Sequence, residues 1–245
     1  TGEAMGAETE RLAREYGVAR NDLDEWGVLS HARAADATRR EVFAREIAPV
    51  PVKNKKGTAF VDADEGVRPE TTIASLASLR PAFALDGVLT AGNSSQISDG
   101  AAALVVAGAE AVARHSLKPL AKILGCAWSA GPTWRFAEAP IPAVKKLLHR
   151  TGMQLDDFDL FENNEAFALS NVLFERQLHV ERDRLNVHGG AIALGHPIGA
   201  SGARLLVTLL NALEERDVTY GLASICHGTG GSTALAIERV NGVGR

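Results

Sequence analysis

An α/β architecture, with a sheet lying between helices, is the fold class the sequence predicts. Three observations carry it. From about residue 99 onward, apolar runs of strand length alternate with helical stretches. Leu205, Leu206, Leu209, Leu210 and Leu213 recur at helical spacing, the mark of an amphipathic helix. Two short segments rich in polar residues or glycine directly follow predicted strands, where open α/β sheets gather their sites.

Residues 5–17 and 22–40 read as helices, the second with Asn21 as N-cap and Asp22, Asp24 and Glu25 in its first turn. Glu46 to Val52 reads as extended, because two prolines exclude a helix interior. Lys53 to Gly57 is a basic turn, Thr58 to Val61 a short strand, and Pro69 opens a helix over roughly 71–79. The rhythm then changes. Ala101 to Ala107 reads as a buried strand and 108–116 as a helix. Leu120–Trp128, Phe158–Phe161, Tyr220–Cys226 and Thr233–Val240 read as strands, with helices over 141–150, 165–178 and 202–216.

The chain has 245 residues, enough for one or two domains. It carries 26 Lys and Arg against 30 Asp and Glu, a net charge of -4, which argues against a nucleic-acid binder working by phosphate neutralisation. No apolar run is long enough to span a bilayer, so no membrane partner is expected. Two cysteines cannot form a disulfide scaffold, and a reducing, cytoplasmic setting is the expectation. The chain opens Thr-Gly-Glu-Ala and runs at once into a helical pattern, so it is expected to be part of a longer protein.

Three segments hold residues capable of chemistry. Asn164-Glu165-Ala166-Phe167-Ala168 spans a strand end and a helix start. Residues 186–204 form a Gly-rich loop containing His188 and His196 that leads into the helix at 202–216, so free N–H groups and the positive helix end face one place. The loop has neither a P-loop nor a dinucleotide spacing. His196 suits proton transfer because an imidazole titrates near neutrality, although a hydrogen-bonded structural histidine fits the same pattern. Cys226 stands before Gly228, Gly230 and Gly231, where backbone donors can converge on an oxyanion, although a buried small apolar Cys is the plainer reading. Cys126, inside a predicted strand, reads as structural. No zinc spacing links His188, His196, Cys226 and His227.

Taken together and in this order, the segments resemble the thiolases, whose signatures are Asn-Glu-Ala-Phe-Ala, the long Gly-Gly-Ala-Ile-Ala-Leu-Gly-His-Pro stretch continued by Ser-Gly-Ala-Arg, and a Cys before a Gly-rich turn. Met5-Gly6, Glu46-Ile47, Arg68-Pro69, Thr90 to Ser95 and Asp99 to Ala102 match as well, so the resemblance covers nearly the whole chain. It implies a layered αβαβα core. Residues 1–97 would belong to a CoA-handling loop domain, 98–119 to the end of the N-terminal core, and 120–245 to the C-terminal core. Two departures stand out. Thr229 interrupts the usual run of three glycines, and Ala4 occupies a position that is His in some short-chain biosynthetic members.

The resemblance implies thiolytic cleavage of a 3-ketoacyl-CoA, or the reverse Claisen condensation, through an acyl-cysteine. That nucleophile matches neither Cys126 nor Cys226 and is expected on a missing N-terminal segment or subunit, so the chain alone is expected to be inactive. His196 would activate the nucleophile and help bind the thioester oxyanion, and Asn164 would hold a water at that site. Cys226 would move a proton at the acetyl carbon, and Gly228 would offer its N–H to a second oxyanion hole. For coenzyme A, a substrate rather than a resident cofactor, Ser95 would meet the pantetheine, Ala166 and Phe167 its apolar wall, and Met5 the acyl side. Arg68 and Ser75 would reach the nucleotide end. Lys53, Lys55 and Lys56 either add positive field for the phosphates or form a solvated turn. A homodimer or tetramer is expected. The alternative is a thiolase-like acyl-CoA binder or carrier without turnover.

Overall fold

The computed structural model describes residues 2–55 and 57–240. Lys56, one of the three predicted basic-turn lysines, lies outside them. Helix α1 (Met5–Glu15) is followed by α2 (Arg20–Arg39). The predicted cap at Asn21 is not the one used. The helix starts earlier, at Arg20 with Ala19 as its N-cap, and Asp22 accepts the Ala19 N–H at 3.0 Å, which satisfies that donor. Asn21 instead donates to Glu25 within the helix, at 2.7 Å. A 3₁₀ turn at Val42–Arg45 leads to a separate ribbon of β1 (Val50–Asn54) and β2 (Gly57–Val61), paired antiparallel. Pro51 is tolerated there because a two-stranded ribbon has open edges. The short α3 (Ile73–Ala77) is capped by Thr72 and packs near α2.

Residues 101–107 overturn an expectation. They form no strand, and Val105 and Val106 are 94% and 75% exposed. A strand needs a neighbour for its backbone donors and acceptors and cover for its side chains. Among the described residues, none pairs with this run. Helix α4 (Ala109–Arg114) follows as expected.

The remainder is the predicted layer of sheet and helices. Strands β3 (Ala121–Ala130), β4 (Leu160–Asn163), β5 (Tyr220–His227) and β6 (Gly231–Arg239) stand in the order β3-β6-β5-β4, with β4 and β5 parallel and the other pairs antiparallel. Strand β4 begins two residues later than Phe158. The period-2 alternation of strand side chains divides the sheet's two faces. Phe161, Leu222, Cys226, Ala234 and Ala236 join the core made with α5 (Pro140–Thr151) and α6 (Ala168–Leu178). Leu160, Ala223 and Ile237 face the leucines of α8 (Ser201–Glu215). The N-terminal helices join the first face, where α2 packs on α6 and on the single turn α7 (Ala191–Leu194).

What ties α2 to this body is polar and buried. The Glu165 carboxylate, 1% exposed, accepts from Trp26 Nε1 (3.1 Å) and Ser30 Oγ (2.7 Å) on α2, and from Asn186 Nδ2 (2.9 Å) and the Ile192 N–H (3.1 Å) in the Gly-rich segment. Ser30 Oγ in turn accepts the Gly190 N–H at 3.1 Å. A Cβ on Gly190 would stand 2.4–2.6 Å from this carboxylate, so only glycine fits. A second buried carboxylate, Glu162, lies 3.4 Å from Arg204 of α8. Burial pushes its pKa up to about 8; Arg204 opposes the rise, and Glu165 and Glu46 add to it.

Two outcomes follow. Glu165→Gln keeps the shape but sets an amide donor against N–H donors, so it should cost about 2–4 kcal/mol in urea denaturation; an unchanged midpoint would remove the carboxylate as a tie. Because Glu162 is harder to ionise folded than unfolded, its contribution to stability is full below about pH 4.5 and is lost as pH rises through about 8. The pH slope of stability over that range should therefore flatten in Glu162→Gln, and an identical slope in both proteins would contradict the assignment.

Candidate active site

The site is built where parallel strands β4 and β5 end. Asn164 follows β4 directly, is fully buried, and donates its backbone N–H to the Ser224 carbonyl of β5 at 3.0 Å. Its Nδ2 lies 3.2 Å from Nε2 of His196, and its Oδ1 is buried without a partner among the described residues. Asn164 and His196, predicted from segments 32 residues apart, are thus in contact. Cys226 lies two residues beyond Ser224 on β5, at the same end of the sheet.

His196 is positioned by its own loop. Its backbone N–H donates to the Gln96 carbonyl at 3.1 Å, and its Nδ1 lies 2.6 Å from Ser201 Oγ at the start of α8. Gly195, at φ +92°, makes the bend before it; a Cβ there would stand 2.2 Å from Ser98 Oγ. Gln96 also donates its side-chain amide to the carbonyls of Gly66, Ile192 and Ala193, which stitches the loop at 66 to the histidine loop. Burial, and next the Arg204 charge, hold the His196 pKa below its ordinary value, so the ring is neutral at neutral pH.

Cys226 is buried, 7% exposed, and burial pushes its thiol pKa up to about 12. It is therefore a proton donor at neutral pH, not a standing thiolate. Beyond it, Thr229 takes φ +74° where the usual family pattern has glycine, a costly conformation for a β-branched residue. Gly228, one residue earlier, keeps ordinary backbone space: a Cβ on it would be 3.7 Å from the Met5 sulfur. Met5, at the start of α1, therefore flanks the turn that follows Cys226.

The predicted CoA-side residues divide. Ser95 donates its N–H to the Ala166 carbonyl at 3.1 Å, and Ser94 bridges Phe167, so this segment runs alongside 166–167. Phe167 packs edge-on to Phe83 at 5.7 Å and against Phe136 at 6.1 Å. Arg68 and Ser75 lie on an exposed stretch. The Ser75 hydroxyl is spent on the α3 cap, at 2.8 Å from the Thr72 carbonyl, while the Arg68 N–H meets His31. Lys53 and Lys55 are exposed on the ribbon. His188 pairs with Glu215 at 2.6 Å, away from His196. Cys126 is exposed on the edge strand β3.

Sequence reasoning missed Gln96, Ser201, Phe83 and Phe136. Gln96 and Ser201 sit inside or beside matched motifs but carry no spacing signal of their own. The two phenylalanines become a wall only once the chain folds.

Comparison with known proteins identifies the family. The family pattern described as thiolase, N-terminal domain, matches residues 1–110, and that described as thiolase, C-terminal domain, matches residues 117–239. An acetyl-CoA acetyltransferase of Synechocystis is 62% identical over 98% of this chain, and a beta-ketoadipyl-CoA thiolase of Pseudomonas knackmussii is 47% identical over 97%. The crystal structure of the Bacillus anthracis acetyl-CoA acetyltransferase superposes with a TM-score of 0.95 at 37% identity, over 97% of this chain and 60% of that one. The chain spans about 60% of the length of the curated relatives it matches. On these matches and this site, the chain belongs to the thiolase family.

Proposed function

We propose that the protein carrying this chain is an acyl-CoA acyltransferase that cleaves 3-ketoacyl-CoA thiolytically or runs the reverse condensation. The observation that carries the reading is the contact of Asn164 Nδ2 with His196 Nε2 at the end of strands β4 and β5, the end at which Cys226 stands. The relatives' names, an acetyltransferase and a thiolase, support it over a binder without turnover.

The chemistry divides among the residues as follows. A cysteine thiolate outside this chain attacks the keto carbon of the substrate, with His196 taking the thiol proton. The bond between the α-carbon and the keto carbon breaks, and its electron pair leaves as the enolate of acetyl-CoA. Cys226 gives its proton to that carbon. Its buried, neutral thiol suits this step. A second CoA thiol, giving its proton back to Cys226, then attacks the acyl-cysteine; the bond from the acyl carbon to the cysteine sulfur breaks, and the departing thiolate recovers its proton from His196. The oxyanions would be met by His196 with the water that Asn164 holds, and by the Gly228 N–H. The unpartnered Asn164 Oδ1 is the acceptor such a water needs. Ser95, Ala166, Phe167 and Met5 would line the pantetheine and acyl path, and Arg68 and Ser75 the nucleotide end. In this reading residues 1–97 are part of a CoA-handling loop domain, 98–119 the end of one core and 120–245 the other. CoA is a substrate and no cofactor is held permanently. The protein works in the cytoplasm, in fatty acid metabolism, as a homo-oligomer.

In the intact protein, His196→Ala and Cys226→Ala should each lower kcat for acetoacetyl-CoA cleavage by about a hundredfold or more, with circular dichroism unchanged. Wild-type turnover in Cys226→Ala would refute its proton-transfer role. Iodoacetamide at pH 7 should modify exposed Cys126 at least about a hundredfold faster than Cys226, read by peptide mass spectrometry. Equal rates would show that the Cys226 thiol is not held neutral.

A further inference from the structure

The histidine loop carries more information than the identity of its base. Ser201 Oγ makes two contacts, 2.6 Å to His196 Nδ1 and 3.0 Å to the Pro197 carbonyl. A carbonyl oxygen only accepts, and a hydroxyl has one proton to give. If that proton goes to Pro197, the second contact is a hydrogen bond only when Nδ1 carries a proton and donates it to Ser201 Oγ. In the neutral ring, Nε2 is then bare. The group facing Nε2 fits this assignment: Asn164 Nδ2 is a donor, at 3.2 Å. Protons therefore run one way along the chain Asn164, His196, Ser201, Pro197. The one acceptor left over at the Asn164 end is the buried Oδ1.

We propose that Ser201 is a positioning residue that holds His196 in the Nδ1–H tautomer, so that Nε2 is the atom that takes the nucleophile's proton. The proposal rests on the reading of His196 as the base. Ser201 is well suited to the task because it is the first residue of α8, packed at 1% exposure, with its backbone N–H on the Pro197 carbonyl at 2.9 Å. Its hydroxyl is thus held at a rigid helix start. The same helix end carries the positive end of the helix dipole, which disfavours a proton charge on the ring beside it. A neutral imidazole has two tautomers, and only one keeps a lone pair on Nε2, which accepts from Asn164 Nδ2 in this structure and exchanges that contact for the nucleophile's proton; the hydrogen bond made by the other nitrogen decides which tautomer forms.

The test uses the intact protein labelled with ¹⁵N-histidine, with long-range proton–nitrogen NMR to read the protonated ring atom and His196→Gln to assign the signal. The natural protein should show Nδ1 protonated and Nε2 bare at neutral pH; the opposite pattern overturns the proposal without any variant having to fold. Ser201→Ala should give a mixture of tautomers and a kcat lower by about 10–100-fold, with KM for acyl-CoA changed less than about twofold. Ser201→Thr, which keeps the hydroxyl, should restore both readouts. An unaltered spectrum and kcat in Ser201→Ala overturns the proposal. Full turnover in His196→Ala instead overturns the reading of His196 as base, while the tautomer of the natural protein is still read directly from its spectrum.

Discussion

Four hydrogen bonds to one buried carboxylate, that of Glu165, join the parts of the chain that the site requires. Burying such a group is costly unless its oxygens are satisfied, and here each oxygen accepts twice. The donors come from α2, from the entry to the Gly-rich segment and from the turn of α7. The residue before Glu165 is Asn164, so the same short stretch that anchors the N-terminal helices also presents the amide that meets His196. Structural tie and chemical group are adjacent in sequence and cannot move independently.

Burial sets the protonation states of the groups gathered at this end of the sheet. It keeps the Cys226 thiol neutral and the His196 ring uncharged. Buried Glu162, beside Arg204, shows the same force acting on a group outside the site. Beside these groups lie softer contacts, among them the Met5 thioether against the turn at Gly228 and the cluster of Phe83, Phe136 and Phe167.

Much of this was legible in the sequence. The helices at 5–17, 22–40, 141–150 and 202–216 announced themselves by periodicity, and β5 and β6 by apolar runs around glycines, because each buries one face locally. The run at 101–107 misled because its apolar residues describe a surface to be covered, whereas no strand among the described residues covers it. Asn21 looked like a cap because it precedes acidic residues, but Asp22 captured the Ala19 N–H first. The motifs carried Asn164, His196 and Cys226 into consideration. Periodicity could not show that Ser201 and Gln96 hold His196 in place, since both act through contacts made only after the loop closes on residues 96 and 197.

The separations within the Glu165 network carry a consequence for how the molecule comes to be built. Trp26 and Glu165 are 139 residues apart, and Ser30 and Gly190 are 160 apart. Closing loops of that size has an entropic cost that must be met before any of the bonds offsets it. Helices α1 and α2 emerge from the ribosome long before their polar partners exist, and Trp26 waits without its acceptor. The histidine loop is thus among the last parts to set, and a chain halted short of residue 192 during synthesis would lack both the lock and the histidine it positions.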